Sequence, residues 1–235
     1  MSLASIPGGG FVATYMQVAG GGASLDTDIH IDEFTVNGSY LSTREIIPVA
    51  GNNFDQGPYI ASLSSTSNLV VWEDVPAGDV KGRVCNADTN GLGPVLTIAN
   101  FNLNDIVGLE VTAMAQSNRY AVVFVDDDSP GDNDEVYLKI LNSAGGAITG
   151  SILVDSSLEQ ASDPHVVELA NGDLFVVWTG YNDPANTGVR IRPYDSNGNP
   201  SFTTYVPATT VAGDQVDPVV AALSGGGVVL LWADD

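Results

Sequence analysis

Five times along this chain an apolar run, a short polar or Gly-rich turn and a second apolar run end on an aromatic residue. The segments are Leu3–Tyr15, Tyr59–Trp72, Val111–Phe124, His165–Trp178 and Val219–Trp232. The last reads VVAALSGGGVVLLW and states the pattern most plainly. The closing aromatics recur at intervals of roughly 50 residues, a period at which whole supersecondary units repeat. Such regularity constrains the fold before any single side chain is considered.

Between these hairpins lies a second, less regular one. In the fourth unit Val189, Ile191 and Pro193 alternate with Arg190, Arg192 and Tyr194. The turn Asp195-Ser196-Asn197-Gly198 follows, and Phe202–Val206 reads as the return strand. The third unit matches with Glu135–Leu141, the turn Asn142–Gly146 and Ile148–Val154. The second gives Val80–Cys85 and Pro94–Ile98, and the first Asp28–Val36 and Tyr40–Val49.

Each full unit thus holds four antiparallel strands with short connections. No window carries apolar residues at helical spacing. The expected class is all-β: a β-propeller-like array of four-stranded antiparallel blades, four complete units plus a half unit. The units run approximately 1–56, 57–108, 109–161 and 162–214, with the half unit at 215–235, in a single repeat domain. Tandem β-sandwiches are the alternative architecture, which the even spacing disfavours. Alanines at Ala4, Ala61, Ala113 and Ala221 suit first strands that approach one another closely, and the VVW-type strand is apolar on both faces, as a strand sandwiched between blades requires. Pro58, Pro164 and Pro218 stand where first strands are expected to begin.

Charge narrows the partners. Seven Lys and Arg face 29 Asp and Glu, a net charge of −22. Such a surface repels phosphate backbones and anionic bilayers, so no nucleic acid is expected as partner. No apolar run reaches the ~20 residues of a membrane helix, so no membrane insertion is expected. The first residues, MSLASIPGGG, lack the basic and apolar regions of a secretion signal. The single cysteine, Cys85, reads as a half-buried structural thiol.

Acidic residues bunch after the closing aromatics: Glu73-Asp74, Asp126-Asp127-Asp128 and Asp234-Asp235, with Asp183, Asp26 and Asp28 placed less closely. In Val125–Tyr137, VDDDSPGDNDEVY, the residues Asp126, Asp128, Asp132 and Asp134 are candidate calcium ligands, although the order matches no EF-hand loop. The competing reading is a solvated turn. The two histidines, His30 and His165, occupy non-equivalent strand positions without a nucleophile elbow, and neither is assigned a catalytic or ligand role. Tyr181, Tyr194 and Tyr205 could stack on sugar rings or cover outer-strand edges. Glycosidase chemistry needs only two carboxyl groups, so composition does not exclude it.

The pattern of Asp163–Trp178 with Arg192–Pro200, repeated at Asp217–Trp232, resembles the propeller-type repeats of large secreted bacterial surface proteins, which often accompany calcium-binding RTX segments. The resemblance implies an extracellular or cell-surface adhesive or structural module. With the half unit at 215–235 in need of a cover, the expectation is a non-catalytic module, not an enzyme, that assembles with other copies or joins a larger surface assembly. A lectin-like glycan binder is the first alternative and a glycan-cleaving enzyme the second.

Overall fold

The computed structural model describes residues 1–18, 27–46, 55–86, 91–100, 105–127, 134–156, 160–182, 186–205 and 213–234. Its elements are all strands. The first sheet is a meander of β1 (Ser2–Ser5), β2 (Phe11–Val18), β3 (Thr27–Phe34) and β4 (Tyr40–Glu45). The second runs through β5 (Asp55–Ser64), β6 (Ser67–Asp74), β7 (Asp79–Cys85) and β8 (Leu92–Asn100). The third joins β9 (Asp105–Met114), β10 (Arg119–Asp127), β11 (Glu135–Asn142) and β12 (Ile152–Asp155). Then come β13 (Gln160–Glu168), β14 (Leu174–Asn182) and β15 (Asn186–Tyr194), and finally the pair β16 (Gln215–Ala222) and β17 (Val228–Asp234).

Every pairing is antiparallel between consecutive strands. This is the all-β, propeller-type array of four-stranded sheets that the repeat predicts. The return strand expected at Phe202–Val206 is reduced, among the described residues, to isolated bridges from Tyr194 to Pro200 and from Ile191 to Tyr205. The bridge at Tyr205 is a reciprocal backbone pair with Ile191, at 2.9 and 3.0 Å.

The chain forms two compact units, Met1–Leu103 with Asn142–Gly146, and Asn104–Leu141 with Ala147–Asp235. In the first, Val12, Ile29 and Ile31 meet Ile60, Val70, Trp72 and Cys85 in one core. In the second, Met114, Val123 and Leu138 meet Val166, Val176, Trp178 and Tyr194. Both cores therefore join the faces of two successive sheets. In the second and third sheets the strand that closes on the aromatic is the most buried: β6 and β10 are buried along all but their end residues. Trp72, Phe124 and Trp178 are almost wholly inaccessible, whereas Trp232 on β17 keeps 36% of its surface exposed. Cys85 is fully buried, not half-buried, and burial raises its thiol pKa to about 11 against the lowering influence of Arg44 and Arg83. The thiol is inert packing.

The prolines do not start their strands. In β5 the ladder passes from Gln56–Glu73 to Tyr59–Val71, so Gly57 and Pro58 together oppose Trp72. In β13 Asp163 and Pro164 oppose Trp178, and in β16 Asp217 and Pro218 oppose Trp232. Each is a β-bulge with its first residue left-handed: φ is 58° at Gly57, 50° at Asp163 and 52° at Asp217. A proline inside a strand is tolerated at such a bulge because no ladder hydrogen bond is asked of its nitrogen. The extra backbone faces a tryptophan all three times, and the two units without this Xaa-Pro pair close on Tyr15 and Phe124.

A methyl group at Gly57 meets nothing within 4 Å, so only its backbone angle resists a side chain. Gly57→Ala is expected to lower stability by about 1 kcal/mol and Gly57→Asp by less, since aspartate tolerates the left-handed region better. Denaturant midpoints that leave Gly57→Ala level with the parent would remove the argument for a strained bulge.

Candidate functional site

The first strands of successive sheets pack against each other: β1 on β5 in one unit, β9 on β13 and β13 on β16 in the other. Between β9 and β13 the approach is unusually close. A Cβ placed on Gly108 would lie 2.4 Å from Cδ of Pro164, so only glycine fits opposite the bulge. This contact sets the neighbouring residues in register.

Glu110, two residues beyond Gly108, reaches across to β13. Its Oε2 accepts a 2.8 Å hydrogen bond from the Val166 amide and lies 3.2 Å from His165 Nδ1. Both side chains keep about a quarter of their surface in solvent, 28% for His165 and 26% for Glu110. Burial works against a charged imidazole at His165. The hydrogen bond and charge of Glu110, with the charge of Asp163, outweigh it and raise the pKa above 6.5. Asp163 holds its left-handed backbone with its own side chain: Oδ2 accepts from Ser162 Oγ at 2.6 Å and from Thr179 Oγ1 at 3.5 Å. A non-glycine residue held in this region stores strain that its surroundings must sustain.

Glu168, at the end of β13, sits in contrasting surroundings. Its carboxyl oxygens accept from the Gln116 amide at 3.2 and 3.3 Å. Burial raises its pKa above 4.5, and the opposing backbone hydrogen bonds from Gln116 and Ala115 only moderate the rise. The turns beyond it, Leu169–Asn171 and Ser224–Gly227, line a cleft of about 430 Å³. Carboxyl groups in unlike surroundings on one pair of strands are the arrangement that divides acid from base roles.

The sequence points elsewhere. Of the proposed calcium ligands, Asp128 and Asp132 lie outside the described residues. Asp126 is buried on β10, and Asp134 is buried with Oδ2 accepting a 2.6 Å hydrogen bond from the Ala161 amide. No group of three or more His, Cys, Asp or Glu capable of holding a metal occurs among the described residues. Asp26, Asp183 and Asp235 of the acidic rim also lie outside them. Of the candidate sugar-stacking tyrosines, Tyr205 is exposed, but Tyr194 is wholly buried beneath Arg192, and burial raises its pKa to about 12. It is a core residue. His165, set aside in the sequence, is the histidine that meets a carboxylate. The available signal for Glu110, His165 and Glu168 is an ionisable residue within an otherwise apolar first strand, as in GLEVTAM and PHVVEL.

No protein-family model matches this chain, and no curated protein matches it in sequence. Solved structures do. A GH62 hydrolase in complex with xylotriose superposes with a TM-score of 0.54 at 11% identity, over 95% of this chain and 77% of that one. An endo-arabinase from Bacteroides thetaiotaomicron gives 0.52 at 11%, over 94% and 84%. A cobalt-substituted apocarotenoid oxygenase from Synechocystis gives 0.55 at 12%, over 96% and 53%. At these identities the likeness establishes the fold, and the fold alone hosts more than one chemistry. It nonetheless overturns the expectation of a non-catalytic adhesive module that is not an enzyme. That expectation took a repeat array without a nucleophile motif to be inert, and arrays of this kind matched over most of the chain include a hydrolase and an arabinase.

Two outcomes follow from the β9–β13 geometry. Gly108→Ala drives a methyl group into a rigid proline ring and is expected to cost about 1–3 kcal/mol, read as a lowered denaturation midpoint. Because the folded pKa of His165 is raised, the Glu110–His165 pair contributes its full stability below about pH 6.5 and loses it as pH rises through the folded value. The thermal midpoint of His165→Gln should therefore fall furthest below the parent in acid and converge with it in alkali. A gap independent of pH would count against the pair.

Proposed function

We propose that this chain is a glycan-cleaving module whose carboxyl chemistry resides on the β9–β13 strand pair. The observation that carries the reading is the placement there of Glu110 and Glu168 in unlike surroundings. Support also comes from the fold, shared over nearly the whole chain with a hydrolase bound to xylotriose.

The roles follow from the surroundings. Glu168, whose carboxyl holds its proton to higher pH, gives that proton to the glycosidic oxygen as the bond from that oxygen to the anomeric carbon breaks. The cleaved chain leaves as an alcohol. Glu110 acts as the carboxylate: it takes the proton of the water whose oxygen joins the anomeric carbon. His165 is a positioning residue. Its Nδ1–H donates to Glu110 Oε2, and with the Val166 amide it fixes that carboxylate's orientation. The left-handed Asp163 supports the imidazole electrostatically. An acidic surface and the resemblance to secreted surface repeats support action outside the cell.

Removing a positioned acid or base slows such reactions by roughly 10²–10⁴-fold. Glu110→Gln and Glu168→Gln are each expected to lower kcat on an arabinan or arabinoxylan by that order, while an Asp28→Asn control on β3 retains it. Reducing-sugar release and circular dichroism of the same preparations provide the check. Undiminished hydrolysis in both glutamine variants would sink the assignment.

A further inference from the structure

The charged residues are sorted by strand. The first strands β1, β5, β9, β13 and β16 carry Asp55, Asp105, Glu110, Asp163, Glu168 and Asp217, and not one lysine or arginine. All seven cations stand elsewhere: Arg44 on β4, Lys81 and Arg83 on β7, Arg119 on β10, Lys139 on β11, and Arg190 and Arg192 on β15. Those that can be followed are engaged where they stand. Arg44 pairs with Glu33 and donates to the Asn86 carbonyl at 2.7 Å. Lys81 pairs with Asp79, Arg83 donates to the Gly93 carbonyl at 2.6 Å, and Arg119 donates to that of Ser196 at 3.1 Å. Arg192 donates to the Val154 carbonyl. On strands β9 and β13 themselves the one basic residue is His165, and Glu110 and Asp163 already face its charge.

Recognition of a uronate, sialate or sulfate ester calls for a fixed cation, most often arginine, whose forked donors match the two oxygens of an anion. Here strands β9 and β13 offer an anionic sugar carboxyl groups and one imidazole already faced by Glu110, with no lysine or arginine, in a protein of net charge −22. We infer that the substrate at the β9–β13 site is an uncharged glycan, built of sugars without carboxylate or sulfate groups. This rests on the glycan-cleaving reading and specifies it. The physical content is exclusion: hydroxyl groups can donate to Glu110 and Glu168 as water does, whereas an anion loses its hydration and meets like charge.

The test sets neutral chains (arabinan, arabinoxylan and galactan) against anionic ones (polygalacturonate, alginate and chondroitin sulfate). Hydrolysis by the full chain is followed at low salt and at about 0.5 M salt, where the Debye length shrinks to a few ångströms. The expected result is cleavage of at least one neutral chain, with every anionic chain at least about tenfold slower and that gap narrowing in salt. Cleavage of an anionic chain as fast as the best neutral one would overturn the inference and leave the enzyme reading standing. Failure to cleave any chain of either class would overturn the enzyme reading itself, and this inference with it.

Discussion

Successive sheets in each unit share a single buried face, and the rest of the structure depends on that sharing. A strand serving two neighbours must be apolar on both sides, which is why β6, β10 and β14 read as near-continuous runs of valine, leucine and aromatics. Trp72 and Trp178 are the largest of the fully buried side chains. The bulge opposite each is the backbone's response. Two residues span the length of one, and at Asp163-Pro164 the bulge brings the proline ring against Gly108 of the preceding sheet.

That proline has a chemical consequence. Pro164 presses on Gly108, a contact too close for any side chain on the glycine, and it fixes β9 against β13 within a narrow tolerance. The register places Glu110 under the Val166 amide and beside His165. Packing and site are thus one construction: the strain at Asp163 belongs to the bulge, and the same aspartate bears on the imidazole. The bulge that opposes Trp178 thus also sets the register in which Glu110 is oriented.

The electrostatics follow a similar division. The few cations stand off the first strands, and those that can be followed are engaged locally, while first strands hold acids whose burial and hydrogen bonding differ from one to the next. Glu168 and Glu110 stand on adjoining strands, one marked by desolvation that backbone amides only moderate and the other by an imidazole beside its backbone donor. A carboxyl function differentiated in this way needs no sequence motif, which is why a search for nucleophile elbows or metal spacings passes over it.

The sequence by itself determined the all-β class, the four-strand meander and the identity of the wedge residues, because hydrophobic period, turn chemistry and a fifty-residue repeat are local or statistical properties of the chain. It also placed every lysine and arginine off the first strands. Only the tertiary structure decided that Pro58, Pro164 and Pro218 lie inside bulges and not at strand starts, since a ladder that skips two residues is a property of a pair of strands. It likewise withdrew Tyr194 into the core and joined His165 to Glu110, residues 55 positions apart by number. Contacts between strands of different sheets are set by packing, and no single stretch of sequence carries them.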